Sequence, residues 1–136
     1  MFTTSTEHLL ELIKDTELCN VYEEYLVTHL AWENFGFWYE VQNFKTEPDE
    51  AQRKHKARMI FAKFLEPGSI FELGDLDQET NDIISSCLEK PPLNLFDILQ
   101  RRAFDTLARA TLHNFLNDKL YLFYKKHSGS KVGMLN

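Results

Sequence analysis

The chain has 136 residues, about one domain's worth, enough to bury roughly two-thirds of its unfolded surface around a core. With 15 Lys and Arg against 21 Asp and Glu its net charge is -6, and the pI is near 5.3, so nucleic acid, which needs a broad basic surface, is not an expected partner. A hydrophobic fraction of 43%, rich in aromatics with 11 Phe, excludes a disordered chain, because that much apolar surface can offset the entropy of folding.

Helical periodicity runs through almost the whole sequence, whereas no alternating run of Val, Ile and Thr reaches strand length, so the fold class is all-α. Thr4 and Glu7 stand in capping-box spacing before Leu9, Leu10 and Ile13, which share a face. Asp15 caps a second helix over about 16–28, striped by Leu18, Val21, Tyr22, Tyr25 and Leu26, with Glu23 and Glu24 toward solvent. From 33 to 45, Phe37, Trp38, Val41 and Phe44 form an aromatic face wide enough to make this the central helix.

Pro48 suits the first turn of a longer helix, where Asp49 and Glu50 complement the dipole, and Ala57, Ile60, Phe61, Phe64 and Leu65 form its buried stripe. Pro67 and Gly68 stop it, and a loop follows that Ile70, Phe71 and Leu73 are expected to pin down. Asp77 starts a helix carrying Ile83, Ile84, Cys87 and Leu88, which ends before Pro91 and Pro92. Asn94 and Asp97 restart the chain into an amphipathic helix with Phe96, Leu99, Ala103, Phe104 and Leu107. A break near Ala110 and Thr111, with Thr111 as the cap, precedes a last helix carrying Leu112, Phe115, Leu116 and Leu120. Residues 1–127 are read as one helical domain and 128–136 as a flexible tail or linker.

Residues 1–50 hold 11 acids and 2 bases, while 51–136 hold 10 acids and 13 bases, so the two halves should attract one another. Arg53, Lys54, Lys56, Arg58 and Lys63 share one helix, a basic face suited to an anionic membrane surface or an acidic partner, and more simply read as a solvated face. No apolar run approaches the ~20 residues of a membrane span, and residues 1–6 lack the basic start and apolar stretch of a signal peptide, so a cytoplasmic location is expected. Phe2 is not a myristoylation glycine and the C-terminus holds no prenylation cysteine, so recruitment to membrane would come from elsewhere.

Cys19 and Cys87 have no CxxC spacing and are read as buried free thiols. Among His8, His29, His55, His113 and His127 no two share the helical spacing of a metal pair, and only His29 has a carboxylate, Glu33, at i+4. No Gly-rich phosphate loop is present. A hydrolytic site on Cys87 or Ser86 has no supporting spacing, so neither an enzyme nor a cofactor is expected, and recognition is the remaining role. The segment from Leu30 to Trp38 is the most informative: Trp32, Glu33 and Asn34 precede a run that must be buried. Glu33 and Asn34 either satisfy free amides at the helix start or form a presented contact loop.

Glu33-Asn34-x-x-Phe37-Trp38, then Phe96-Asp97-x-x-Gln100, then Phe115-Leu116 before Tyr121, resembles the regulator of G-protein signalling (RGS) domain family over about Leu9 to Lys126. The resemblance implies an all-helical bundle of about nine helices. It also implies a domain that grips the switch regions of a heterotrimeric G-protein α subunit (Gα) and accelerates its GTP hydrolysis by preorganisation, donating no catalytic side chain.

In that reading Glu33 and Asn34 match the first contact loop. The family's switch-contacting polar residue falls on Cys87, or on Ser86 after a one-residue shift, its acidic anchor on Ala110 and its basic companion on Asn114. A thiol bonds weakly, and alanine cannot accept a backbone amide. Two roles are therefore open: a divergent GTPase-activating domain, or an RGS-homology module kept for interaction, as in sorting nexins, anchoring proteins and scaffolds. Similar domains commonly sit beside lipid-binding, kinase or exchange-factor domains, so the sequence is read as one domain of a longer protein.

Overall fold

The computed structural model describes residues 4–74 and 76–135, from 128 onward by backbone alone. The described residues form eight α-helices and a π-helical turn: α1 (Ser5–Lys14), α2 (Thr16–Thr28), α3 (Glu33–Thr46), α4 (Glu50–Ile60), the π-turn (Phe61–Leu65), α5 (Gln78–Ser86), α6 (Asp97–Ala110), α7 (Leu112–Leu116) and α8 (Lys119–Leu135). They contain no strand, so the protein is all-α.

The helix starts follow local chemistry. Thr4 accepts the Glu7 amide at 3.1 Å, Asp15 that of Leu18 at 3.1 Å, Asp49 that of Gln52 at 2.9 Å and Asp77 that of Thr80 at 2.6 Å. Each carboxylate or hydroxyl thus satisfies a donor that the first helical turn leaves open. Asp49 is the cap itself, so Pro48 lies before α4 and not inside its first turn. Thr111 is different: its side chain caps nothing at the start of α7, because its hydroxyl turns back to the Leu107 carbonyl at 2.7 Å.

By chain contacts the protein divides into two compact units, Met1–Trp32 with Asp105–Asn136, and Glu33–Phe104. In the first, α1 packs on α2, and α8 packs on both α2 and α7. Leu9, Leu12, Tyr22, Tyr25, Leu26, Leu112 and Phe115 are buried there, whereas Leu10 is exposed, so the face of α1 is centred on Leu9 and Leu12. The α2 helix ends in a Schellman turn: Leu30 N–H meets the Val27 carbonyl, Ala31 N–H meets that of Leu26, and Leu30 has φ 55. Glu23, expected toward solvent, accepts the Trp32 indole N–H at 2.9 Å and fixes the chain leaving that turn. The segment expected as a tail has helical backbone as far as Leu135; no proline follows Pro92 to interrupt it.

In the second unit α3 packs on α4. Phe37 meets Phe64 edge-on at 5.7 Å and Phe96 at 6.2 Å, and Phe44 meets Phe96 at 5.3 Å. Quadrupoles favour such crossed rings over parallel ones. Gln100 is buried and donates to the Trp38 carbonyl at 3.1 Å and to Gln42 at 2.8 Å, tying α6 to α3. Ile70, expected to pin the loop after α4, is 80% exposed; Phe71 and Leu73 do the pinning through amides bonded to Lys63 and Phe64 carbonyls. Asp75 lies outside the described residues.

Asn81 of α5 is buried and donates to the Leu65 carbonyl at 2.5 Å, where the π-turn leaves carbonyls without helical partners. Its own Oδ1 has no hydrogen-bond partner. Asn81→Ala would strand the Leu65 carbonyl while removing that unsatisfied oxygen, so a net loss of about 1–2 kcal/mol is expected in urea denaturation. No change would show that water replaces the amide.

Candidate functional site

Glu33 and Asn34 open α3 and are half-buried. Among the described residues neither side chain has a hydrogen-bond or ion-pair partner, so neither caps the helix that it begins. The apolar residues that follow, Phe35, Gly36 and Phe37, are buried and hold this first turn in place. The polar pair is therefore anchored by its neighbours and leaves its own acceptors and donors unused.

Ser86 and Cys87 close α5 in the same unit. The Ser86 hydroxyl is exposed and donates to the Ile83 carbonyl at 2.7 Å, leaving its oxygen as an acceptor. Cys87 is the C-cap with φ -101 and, like Cys19, is half-buried, not buried as its hydrophobicity suggests. Burial, then the Glu23 and Asp15 carboxylates, push the Cys19 thiol up, which keeps it protonated and unreactive. The loop after α5 is held by Glu89, which receives Lys54 at 2.9 Å and also Arg58.

At the opposite end of α5, the Asp77 carboxyl is held below its ordinary value by the Thr80 amide and then the Thr80 hydroxyl. A depressed folded pKa adds stability above the unfolded value, which is lost as pH falls through the folded one. Asp77→Asn retains an acceptor for the cap but has no titration, so it is expected to lower stability at neutral pH and to narrow its gap to the parent chain below pH 3.8, the ordinary Asp value. Urea titrations at several pH values measure this, and a gap independent of pH would overturn it.

Ala110 and Asn114 belong to the other unit, where Ala110 ends α6 and Asn114 lies in α7; both are exposed. The break between them is set by Thr111, with φ -121 and ψ -29. Tyr22, fully buried, meets the Thr111 hydroxyl at 2.6 Å.

The basic face, which runs from α4 into the π-turn where Lys63 lies, is internally matched. Arg53 donates to the Glu47 carbonyl at 2.9 Å, Lys56 pairs with the Glu47 carboxylate at 2.8 Å, Lys63 with Glu40 at 2.8 Å, and Lys54 and Arg58 with Glu89. Glu40 and Glu47 come from the acidic half of the sequence, so its attraction to the basic half is realised as these local pairs. His29 Nδ1–H donates to the Tyr25 carbonyl at 2.9 Å, and its Nε2 faces Asp118 at 3.9 Å. Among the described residues no three His, Cys, Asp or Glu side chains gather as a metal site, and no helix is long and apolar enough to cross a membrane.

A family model for the regulator of G protein signaling domain matches residues 8–124. The chain belongs to the RGS domain family. That span is close to the one over which the three sequence elements resemble the family, and RGS domains in general regulate G-protein signalling. The chain is 26% identical over 132 residues to Regulator of G-protein signaling 1 of Xenopus tropicalis, a match covering 96% of this chain and 64% of that protein. It is 27% identical over 112 residues to human Regulator of G-protein signaling 18, covering 82% of this chain and 47% of that protein. To human Regulator of G-protein signaling 21 it is 26% identical over 118 residues, covering 87% and 77% respectively. The chain thus spans about half to two-thirds of the first two relatives.

Sequence reading missed two side chains that shape the surroundings of these residues. Gln100 stood in a quoted motif, but its bonds to Trp38 and Gln42 reach 62 and 58 residues away. Asn81 gave no signal at all, because a buried asparagine on an amphipathic helix looks like any surface one.

Proposed function

We propose that this RGS domain binds the switch regions of a heterotrimeric Gα subunit in its hydrolytic transition-state form and thereby accelerates GTP hydrolysis, with no catalytic side chain of its own. The observation that carries this reading is the Glu33–Asn34 pair: half-exposed, rigidly based and without an internal partner among the described residues. Unspent polar groups on a fixed helix start can grip a mobile loop at little entropic cost. A surface that binds the transition-state geometry better than the ground state is by that difference a catalyst of the partner's reaction. Glu33, Asn34, Ser86, Cys87, Ala110 and Asn114 are the proposed contacts, with Ser86 the better acceptor of the α5 pair.

Binding to Gα loaded with GDP and aluminium fluoride, compared with GDP alone, tests the reading together with single-turnover GTP hydrolysis. Strong preference for the fluoride state and faster hydrolysis are expected. Equal binding to both states removes the activating role.

A second reading, an interaction module without activation, is favoured by Ala110, which is exposed and offers no side-chain acceptor. Under it, Ala110→Asp with Asn114→Arg is expected to raise Gα affinity at least tenfold, since a charge-assisted hydrogen bond contributes about 1.5–3 kcal/mol. Titration of the double variant against fluoride-loaded Gα measures the gain. For the basic face of α4 we propose the solvated reading, because its cations are matched by Glu40, Glu47 and Glu89.

A further inference from the structure

The break between α6 and α7 is held from inside by one residue of α2. Thr111 has a single hydroxyl proton, and it goes to the Leu107 carbonyl at 2.7 Å, so at the 2.6 Å contact the Tyr22 hydroxyl is the donor and Thr111 Oγ1 the acceptor. The Tyr22 ring also meets Phe115 edge-on at 5.0 Å, one helical turn beyond Thr111. Tyr22 therefore grips both ends of the turn that contains Asn114, and the Thr111 end adjoins Ala110. All six residues lie in one compact unit.

A phenylalanine would fill the same core space, and the chain puts a hydroxyl there at the cost of burying it. Burial pushes the Tyr22 phenol well up, so it remains a donor at any physiological pH. Thr111 is half-buried, and the Tyr22 bond to its oxygen takes the place of solvent there. Both members of the relay thus have their hydrogen-bonding roles fixed by the fold.

We propose that Tyr22 is a positioning residue for the partner surface: its hydroxyl, through Thr111, orders the α6–α7 break and so sets the presentation of Ala110 and Asn114. This inference rests on the assignment of Ala110 and Asn114 as Gα contacts. An ordinary core tyrosine would add stability without affecting the order of that turn or binding there.

The test uses the full chain with Tyr22→Phe, Thr111→Ser and Thr111→Val, read by amide hydrogen exchange and by affinity for Gα loaded with GDP and aluminium fluoride. In Tyr22→Phe, helix content should be retained. Exchange of the 112–115 amides should rise about tenfold relative to those of α4, and Gα affinity should fall by about five- to tenfold, the scale of one lost hydrogen bond. Thr111→Ser should match the parent in both, because it keeps the hydroxyl, while Thr111→Val should behave as Tyr22→Phe. Unchanged exchange at 112–115, or a rise spread evenly over the chain, overturns the proposal. So does raised exchange with unchanged affinity. If the parent chain binds no Gα state, the proposed function fails, and so does the binding half of this inference. The exchange arm then decides by itself whether Tyr22 orders the break.

Discussion

Phe37→Ala is expected to destabilise the protein by about 3–5 kcal/mol, a large share of the roughly 5–15 kcal/mol that holds a domain of this kind together. Phe37 has no exposed surface and lies between Phe64 and Phe96, so its removal leaves a cavity that three elements border: α3, the π-turn and the segment entering α6. Collapse would need these elements to move together, and each is tied elsewhere, α3 and α6 by Gln100 and the π-turn by Asn81. The cost should therefore lie toward the upper end. Phe37→Leu retains most of the volume and is expected to lose only about 1–2 kcal/mol, mainly the crossed-ring contacts. Urea denaturation followed by far-ultraviolet circular dichroism measures both. A loss below about 1 kcal/mol for the alanine variant would mean that the unit repacks without its central ring.

Asn34→Ala is expected to leave stability nearly unchanged and to lower affinity for fluoride-loaded Gα by about tenfold to a hundredfold, with a matching loss of single-turnover acceleration. The two effects separate because the Asn34 side chain has no internal partner among the described residues, while alanine favours the helix that begins there. A variant that loses several kcal/mol of stability would place Asn34 in the role of a helix cap after all. A variant that folds normally and activates as well as the parent would remove Asn34 from the contact surface. Glu33→Ala provides a parallel comparison, and its effect should weaken as salt is raised, because a carboxylate at a rim is screened where a neutral amide is not.

These two expectations sit on different levels of the same helix. The buried face of α3, with Phe37, Val41 and Phe44, determines whether the unit folds. In the proposed function the two residues at its start, standing on that buried face, are what the folded unit presents to its partner. In that reading the ring cluster beneath α3 supplies the rigid template that a partner's flexible loop needs.

Much of this organisation could be read directly from residue order. Thr4, Asp15 and Asp77 cap helices because each interaction spans three residues, and Pro67, Pro91 and Pro92 interrupt them for equally local reasons. The apolar spacing gave the all-α class, and the Glu33-Asn34, Phe96-Asp97 and Phe115-Leu116 elements pointed to the family that the comparison over residues 8–124 shows. Some local expectations gave way to neighbours further along the chain: Glu23 met Trp32 instead of water, and Ile70 was left exposed while Phe71 and Leu73 packed. Others failed for local reasons, as where Asp49 and not an earlier residue caps α4 and the Thr111 hydroxyl turns back to Leu107.

Residue order by itself thus determined the all-α class, most helix starts and the family, since caps, prolines and periodic stripes act over a few bonds. Tertiary structure decided which polar groups remain available. Ser86 spends its proton on Ile83, Thr111 spends its own on Leu107 and receives another from Tyr22, and Glu33 and Asn34 spend nothing within the described residues. For Ser86 and Thr111 as donors the partner is a carbonyl one turn back in the same helix, but the second bond to Thr111, from Tyr22, is set by packing between segments and not by neighbours along the chain.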